Sequence, residues 1–217
     1  MQELLQEPGL FPFLLAVVGI SLSGVLMPGP ITAVTVAGGS KDPHAGFFVA
    51  LGHMVIEVPV IALIFLGVRA LFKIASVQVG IGLIGGLVLF WMGLGMLRDF
   101  DKADITEDKG PYSQSPFLSG IMLSVGNPYF LVWWASLGAL LVDKSLYFGL
   151  AGVLVLLLAH WSCDFVWLHF LSFISFQGKR FFGKKLQQGV FIVCGHVLIF
   201  FTGYFGSLAL LTLADLV

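Results

Sequence analysis

The chain has 217 residues, of which 58% are apolar and only 11% charged, with 21 phenylalanines and a mean hydropathy of +1.00. Soluble domains carry about 25% charge, so this composition excludes a water-exposed globular surface and reads as an integral membrane protein. A formal net charge of -1 excludes a polybasic nucleic-acid binder, and the few charges cluster between apolar runs.

Six apolar runs are long enough to cross a hydrocarbon core about 30 Å thick, which takes about 20 helical residues. They fall near 10–38, 45–67, 77–97, 117–142, 146–174 and 189–213. The expected fold is all-α, with six transmembrane helices. The first run lacks the Lys or Arg that precedes a secretory signal core and is expected to be retained. The longest connection, "RDFDKADITEDKGPYSQS" at 98–115, is polar and acidic. It divides the chain into a three-helix repeat at 1–97, a cytoplasmic linker at 98–116 and a second three-helix repeat at 117–217.

Orientation follows from the basic residues of alternate loops. Lys41, Arg98, Lys102, Lys109, Lys179, Arg180, Lys184 and Lys185 fall on one side; Arg69, Lys73 and Lys144 fall on the other, and the N-terminal "MQELLQE" has none. The richer side is expected in the cytoplasm, with both termini outside the cell.

The first run contains "LMPGPITAV" at 26–34. Pro28 and Pro30 donate no amide hydrogen and clash with the carbonyls of Gly24 and Leu26, so a helix passing through Pro28, Gly29 and Pro30 must break. The fourth run is interrupted likewise at "SVGNPYF", where Asn127 precedes Pro128 and the Ser124 carbonyl should be freed. After each broken run comes a run with a His and an acid four residues apart: His53 with Glu57 in "GHMVIEVP", His160 with Asp164 in "AHWSCDF". Such a pair shares one helix face. Three spans per repeat is odd, so the second copy enters the membrane inverted, an arrangement common in secondary transporters.

At about 1.5 Å per residue, Pro28, Pro128 and all four ionisable residues fall roughly 12 to 21 Å from the inner ends of their helices, near the midplane. Ionisable groups there cost about 2.5 to 3.5 kcal/mol or more and are expected to face protein or a wet cavity. A His and acid pair can exchange a proton near neutral pH, which suits proton-coupled transport. Amides at the helix starts, Pro30 and Pro128, suit a substrate carboxylate. The carbonyls freed at Gly24, Leu26 and Ser124 suit a cation or an ammonium group. Trp133 and Trp134 lie near the second break, where they line the pathway or pack.

At this point "MPGPITAVTV", "GHMVIE", the polar mid-loop and "GNPYFLVWWASLG" resemble the LysE/RhtB family of small membrane exporters. The resemblance covers nearly the whole chain. It implies export of amino acids or similar small solutes, driven by the proton gradient. Here His53 stands where family members tend to carry an acid after the span-two glycine, and Glu57 follows a turn later.

Other readings stay open. The breaks can be kinks that shape packing, and the His and acid pairs can be structural ion pairs. His53, Glu57, His160 and Asp164 together also form a possible first-row metal set, which would make the protein a divalent metal exporter. His44, His169 and His196 stand alone and read as structural or surface residues. The "GIGLIGG" at 80–86 reads as helix packing or a homodimer contact. No Gly-Lys-Ser or Gly-Lys-Thr follows it, and no Gly-x-Ser-x-Gly or His-Glu-x-x-His is present, so neither ATP hydrolysis nor an intramembrane hydrolase is indicated. Cys163 and Cys194 have no metal or redox spacing and read as buried thiols. No cofactor is implied.

Overall fold

The computed structural model describes residues 9–67, 74–101, 115–182 and 184–214. The markers Arg69, Lys73, Lys102 and Lys109 and the segment "MQELLQE" lie outside the described residues, as do most of the linker and the side chains of Lys179 and Arg180. The described residues contain helices and no strand: α1 Leu10–Val25, α2 Pro30–Gly39, α3 Ala45–Phe65, α4 Ala75–Asp99, α5 Pro116–Val125 and α6 Pro128–Trp133. A π turn, Trp134–Gly138, joins α6 to α7 Ala139–Ser145; a short 3-10 turn, Leu146–Phe148, leads to α8 Gly149–Phe182 and α9 Lys184–Ala214.

Both expected breaks are present. The chain leaves α1 after Val25, and α2 restarts with Pro30 at its first position, where a missing N–H costs nothing. The two arms differ in direction by 80°. At the second break Asn127 caps α6, its side-chain oxygen accepting from the Tyr129 amide at 3.1 Å, with Pro128 again at the start. The chain reverses between α7 and α8 at Gly149, whose φ of 60° favours glycine.

The count of spans departs from the sequence expectation. Among the described residues, four helices are long and apolar enough to cross a membrane, or five if α1 and α2 form one bent span. The ten residues of α5 are too few by themselves. From Tyr129 to Gly178 the helical turns follow one another without a gap, because the 3-10 turn carries the hydrogen bonding through the reversal, so length does not separate two spans there. The last two helices outrun their apolar patterns. Gln177, Lys184, Lys185, Gln187 and Gln188 are polar but good helix formers, and they extend α8 and α9 toward each other.

Small residues set the closest helix approaches. A Cβ on Gly82 would lie 2.8 Å from the Ala209 Cβ, and one on Gly93 would lie 2.9 Å from the Gly195 carbonyl oxygen. The "GIGLIGG" stretch therefore packs α4 on α9 within the chain. Gly52 and Gly120 cross face to face where α3 meets α5, and a Cβ on either would run into the other helix's backbone. Outward positions are apolar, including Leu150 at 76% and Val166 at 70% exposed, a surface suited to lipid and not to water. The protein is a multi-pass helical membrane protein. Cys194 is buried and Cys163 half-buried, both as free thiols.

Candidate functional site

Both helix breaks open onto one central cavity of about 80 Å³. Gly24, Pro28, Gly29 and Pro30 line it from the first break, Asn127 and Trp133 from the second. His53, Glu57, His160 and Asp164 line the same space. Of the residues singled out from sequence, Ser124 stands one layer behind, and Pro128 starts the helix that carries the wall.

The two His and acid pairs meet. Glu57 is 1% exposed, and a single oxygen of its carboxylate gathers three partners. Oε1 lies 3.2 Å from His53 Nε2 and 3.0 Å from His160 Nε2, and it accepts the Trp134 indole N–H at 3.2 Å. The other oxygen, Oε2, has no hydrogen-bond partner. His160 Nε2 also lies 3.5 Å from Asp164 Oδ2, a buried oxygen that receives no hydrogen bond. Trp133 stacks on the His160 ring, centroids 5.3 Å apart and 24° from parallel, and Trp134 meets that ring edge-on at 5.0 Å.

Each histidine is held from behind by a serine of the other half of the chain. His53 Nδ1 lies 2.6 Å from Ser124 Oγ on α5, and His160 Nδ1 lies 2.8 Å from Ser21 Oγ on α1. The two serines differ. The Ser124 hydroxyl donates to the Gly120 carbonyl, so toward His53 it can only accept an Nδ1–H. The Nε2 of that ring then faces Glu57 Oε1, and the contact needs one proton between them. Ser21 can turn to donate or accept, so His160 is satisfied with one ring proton or with two.

One expectation is corrected. The carbonyls of Gly24 and Ser124 are not left free, because short turns close on them: Met27 N–H donates to Gly24 and Asn127 N–H to Ser124, both at 3.2 Å. What stays open at the first break is the first turn of α2, whose amides at Ile31 and Thr32 precede the first intrahelical bond, Ala33 N–H to Gly29 at 3.0 Å. Both residues line the cavity.

Sequence reasoning missed Ser21 and the hydrogen bond from Trp134 to Glu57. The available signal was a serine inside an apolar run, since a buried hydroxyl needs a partner. His44 and His169 stack on each other with centroids 5.5 Å apart, and His196 bonds the Ile192 carbonyl; none of them joins the cluster. His53, Glu57 and Asp164 offer ligand atoms within 4.8 Å of one another, a nitrogen and oxygen set that a divalent first-row ion could use.

Buried ionisable groups gathered at two interrupted helices, inside a bundle whose outer face is apolar, define a membrane transporter. Residues 22–208 match the family model of the LysE type translocator, and the chain belongs to that family. It is 25% identical over 195 residues to the Bacillus subtilis (strain 168) protein named "Putative amino acid efflux protein YcgF", covering 88% of this chain and 92% of that one. It is 27% identical over 164 residues to the "Uncharacterized membrane protein PA4757" of Pseudomonas aeruginosa, covering 72% and 74%. No solved structure matches the chain.

Proposed function

We propose that the protein is a secondary active exporter of amino acids or related small metabolites in the plasma membrane of a prokaryote, coupled to protons and working by alternating access. The observation that carries this reading is the Glu57 carboxylate, shared by histidines of both halves at the wall of the cavity where both breaks end. The name of the Bacillus relative supports the amino-acid class.

Six spans arranged as two inverted repeats account best for the packing. Broken α1–α2 corresponds to broken α5–α7, α3 to α8 and α4 to α9. In that scheme the two crossed serine contacts, Ser124 to His53 and Ser21 to His160, are equivalent. The basic side of the protein faces the cytoplasm and both termini face outward. The solute carboxylate sits on the Ile31 and Thr32 amides at the positive end of α2. Its ammonium sits on Glu57 Oε2, a buried carboxylate oxygen without a hydrogen bond, beside the Trp133 ring, which leaves Asp164 to the proton. His53, Glu57, His160 and Asp164 move the proton. A cavity of about 80 Å³ has room for a few waters or a very small solute, so larger solutes require it to open.

The test is counterflow in proteoliposomes, with radiolabelled amino acids tried singly. At least one amino acid should exchange in the wild type, and Glu57→Gln should abolish the exchange while leaving folded yield intact. Exchange of no amino acid, together with uptake of a transition metal that is lost in His53→Ala, would overturn this reading in favour of a metal exporter. Neither the family nor the relatives' names favour that alternative.

A further inference from the structure

The central cavity is lined from two helix pairs that pack within themselves, α3 with α8 and α4 with α9. They bring it opposite chemistry. His53, Glu57, His160 and Asp164, the acids and histidines of the lining, all stand on α3 and α8. From α4 and α9 come Leu89, Leu198 and Phe201, without a polar side-chain atom among them.

The apolar wall is closely packed. Leu89 and Leu198 are buried in one core, which they share with Phe191, Cys194 and Phe205. Phe201 and Tyr129 pack against that core, their rings edge to face with centroids 5.6 Å apart. A wall of this density does not yield to a bulky group unless the core rearranges. A solute side chain that meets it has only the room of a cavity of about 80 Å³.

The acids offer one cationic place, not two. Glu57 Oε1 and Asp164 Oδ2 lie 3.0 and 3.5 Å from the same His160 Nε2, so the carboxylates share one corner of the cavity. A second ammonium or a guanidinium on the solute would have to fold back beside its own α-ammonium, or stand against Leu89 and Leu198 as an unpaired charge. An unpaired charge buried among apolar groups is costly. A second carboxylate fares no better. No Lys or Arg lines the cavity among the described residues, and both histidines already face Glu57.

We propose that the solute is a neutral amino acid with a short apolar side chain, of the size of alanine to valine, and that Leu89 and Leu198 are the residues that select it. The zwitterionic end lies between the α2 amides and Glu57, and the side chain turns to the wall that α4 and α9 supply. This rests on the exporter reading above and narrows it from amino acids at large to one class of side chain.

The experiment compares radiolabelled alanine, valine, phenylalanine, lysine and aspartate, each singly, in counterflow through the wild type in proteoliposomes. Alanine and valine should exchange with a kcat/KM at least about 100-fold above that of lysine and aspartate, and about tenfold above that of phenylalanine. Lysine or aspartate exchanged as well as alanine or valine overturns the neutral side chain and leaves the exporter reading standing. Phenylalanine exchanged as well as they are overturns the limit on size. Leu89→Ala and Leu198→Ala each set the wall back and should raise the ratio of phenylalanine to alanine at least about tenfold, a change of preference that lost stability alone does not produce. An unchanged ratio overturns the selecting role of the two leucines, and the wild-type comparison decides the side-chain class even where a variant fails to fold. Exchange of no amino acid at all defeats the exporter reading and this inference with it.

Discussion

The His and acid pair of α3 and that of α8 have the same spacing but not the same surroundings. Glu57 is pinned by His53, His160 and Trp134 on one oxygen, while Asp164 has only His160 at 3.5 Å. The serines behind the rings differ in the same direction, Ser124 committed to the Gly120 carbonyl and Ser21 free to turn. One half thus holds a fixed anchor and the other a group whose charge can change at less structural cost. The proton coupling proposed above requires both, because a site in which every group is equally pinned has no cheap change of state.

The largest expected effect follows from the anchor. Glu57→Gln should lower amino-acid counterflow at least about 100-fold, about 2.8 kcal/mol, because it removes the charge that both histidines share. A rate within twofold of wild type would erase the distinction between the halves. Asp164→Asn should sharpen it: exchange of solute persists within a few-fold, while net export driven by a proton gradient is lost. Equal loss of exchange in the two variants would mean that the acids act as one unit.

Smaller effects probe the frame around the pairs. A Cβ on Gly24 would lie 2.9 Å from the Trp133 indole nitrogen and push the ring off His160. Gly24→Ala should therefore lower thermal stability in detergent by about 1–3 kcal/mol, the usual cost of overpacking. An unchanged melting temperature would show that the Trp133 ring is not held there. Ser21→Ala should slow transport only a few-fold, in line with about 1 kcal/mol for one hydrogen bond. Ser124→Ala, which disturbs two bonds, should slow it more, and the reverse order would contradict the assignment of the fixed and variable sides.

Much of this was legible in the residues themselves. Pro28, Pro30 and Pro128 fix where helices cannot continue, and the four-residue spacing of His53 with Glu57 and of His160 with Asp164 sets which side chains share a face. Those are local rules, and they held. The rest depends on tertiary approach. Nothing in the sequence says that His160 would reach across to Glu57 or that Ser21 would stand behind it, since these contacts join residues 103 and 139 positions apart. The π turn at Trp134 was equally hidden, because "WASLG" fits an α-helix as well, and the Glu57 carboxylate that accepts its indole N–H lies 77 positions away. The occupied carbonyls of Gly24 and Ser124 show the same limit. Proline predicts which helical bond is lost but not which turn recovers it.

The central claim, that the two halves share one site where solute and proton meet, is tested most directly by proton movement. In proteoliposomes loaded with a pH-sensitive dye, a gradient of a transported amino acid should drive a proton flux through the wild type. The same gradient should drive none through Asp164→Asn, although that variant still exchanges solute. No flux through the wild type, or an undiminished flux through Asp164→Asn, would contradict the account.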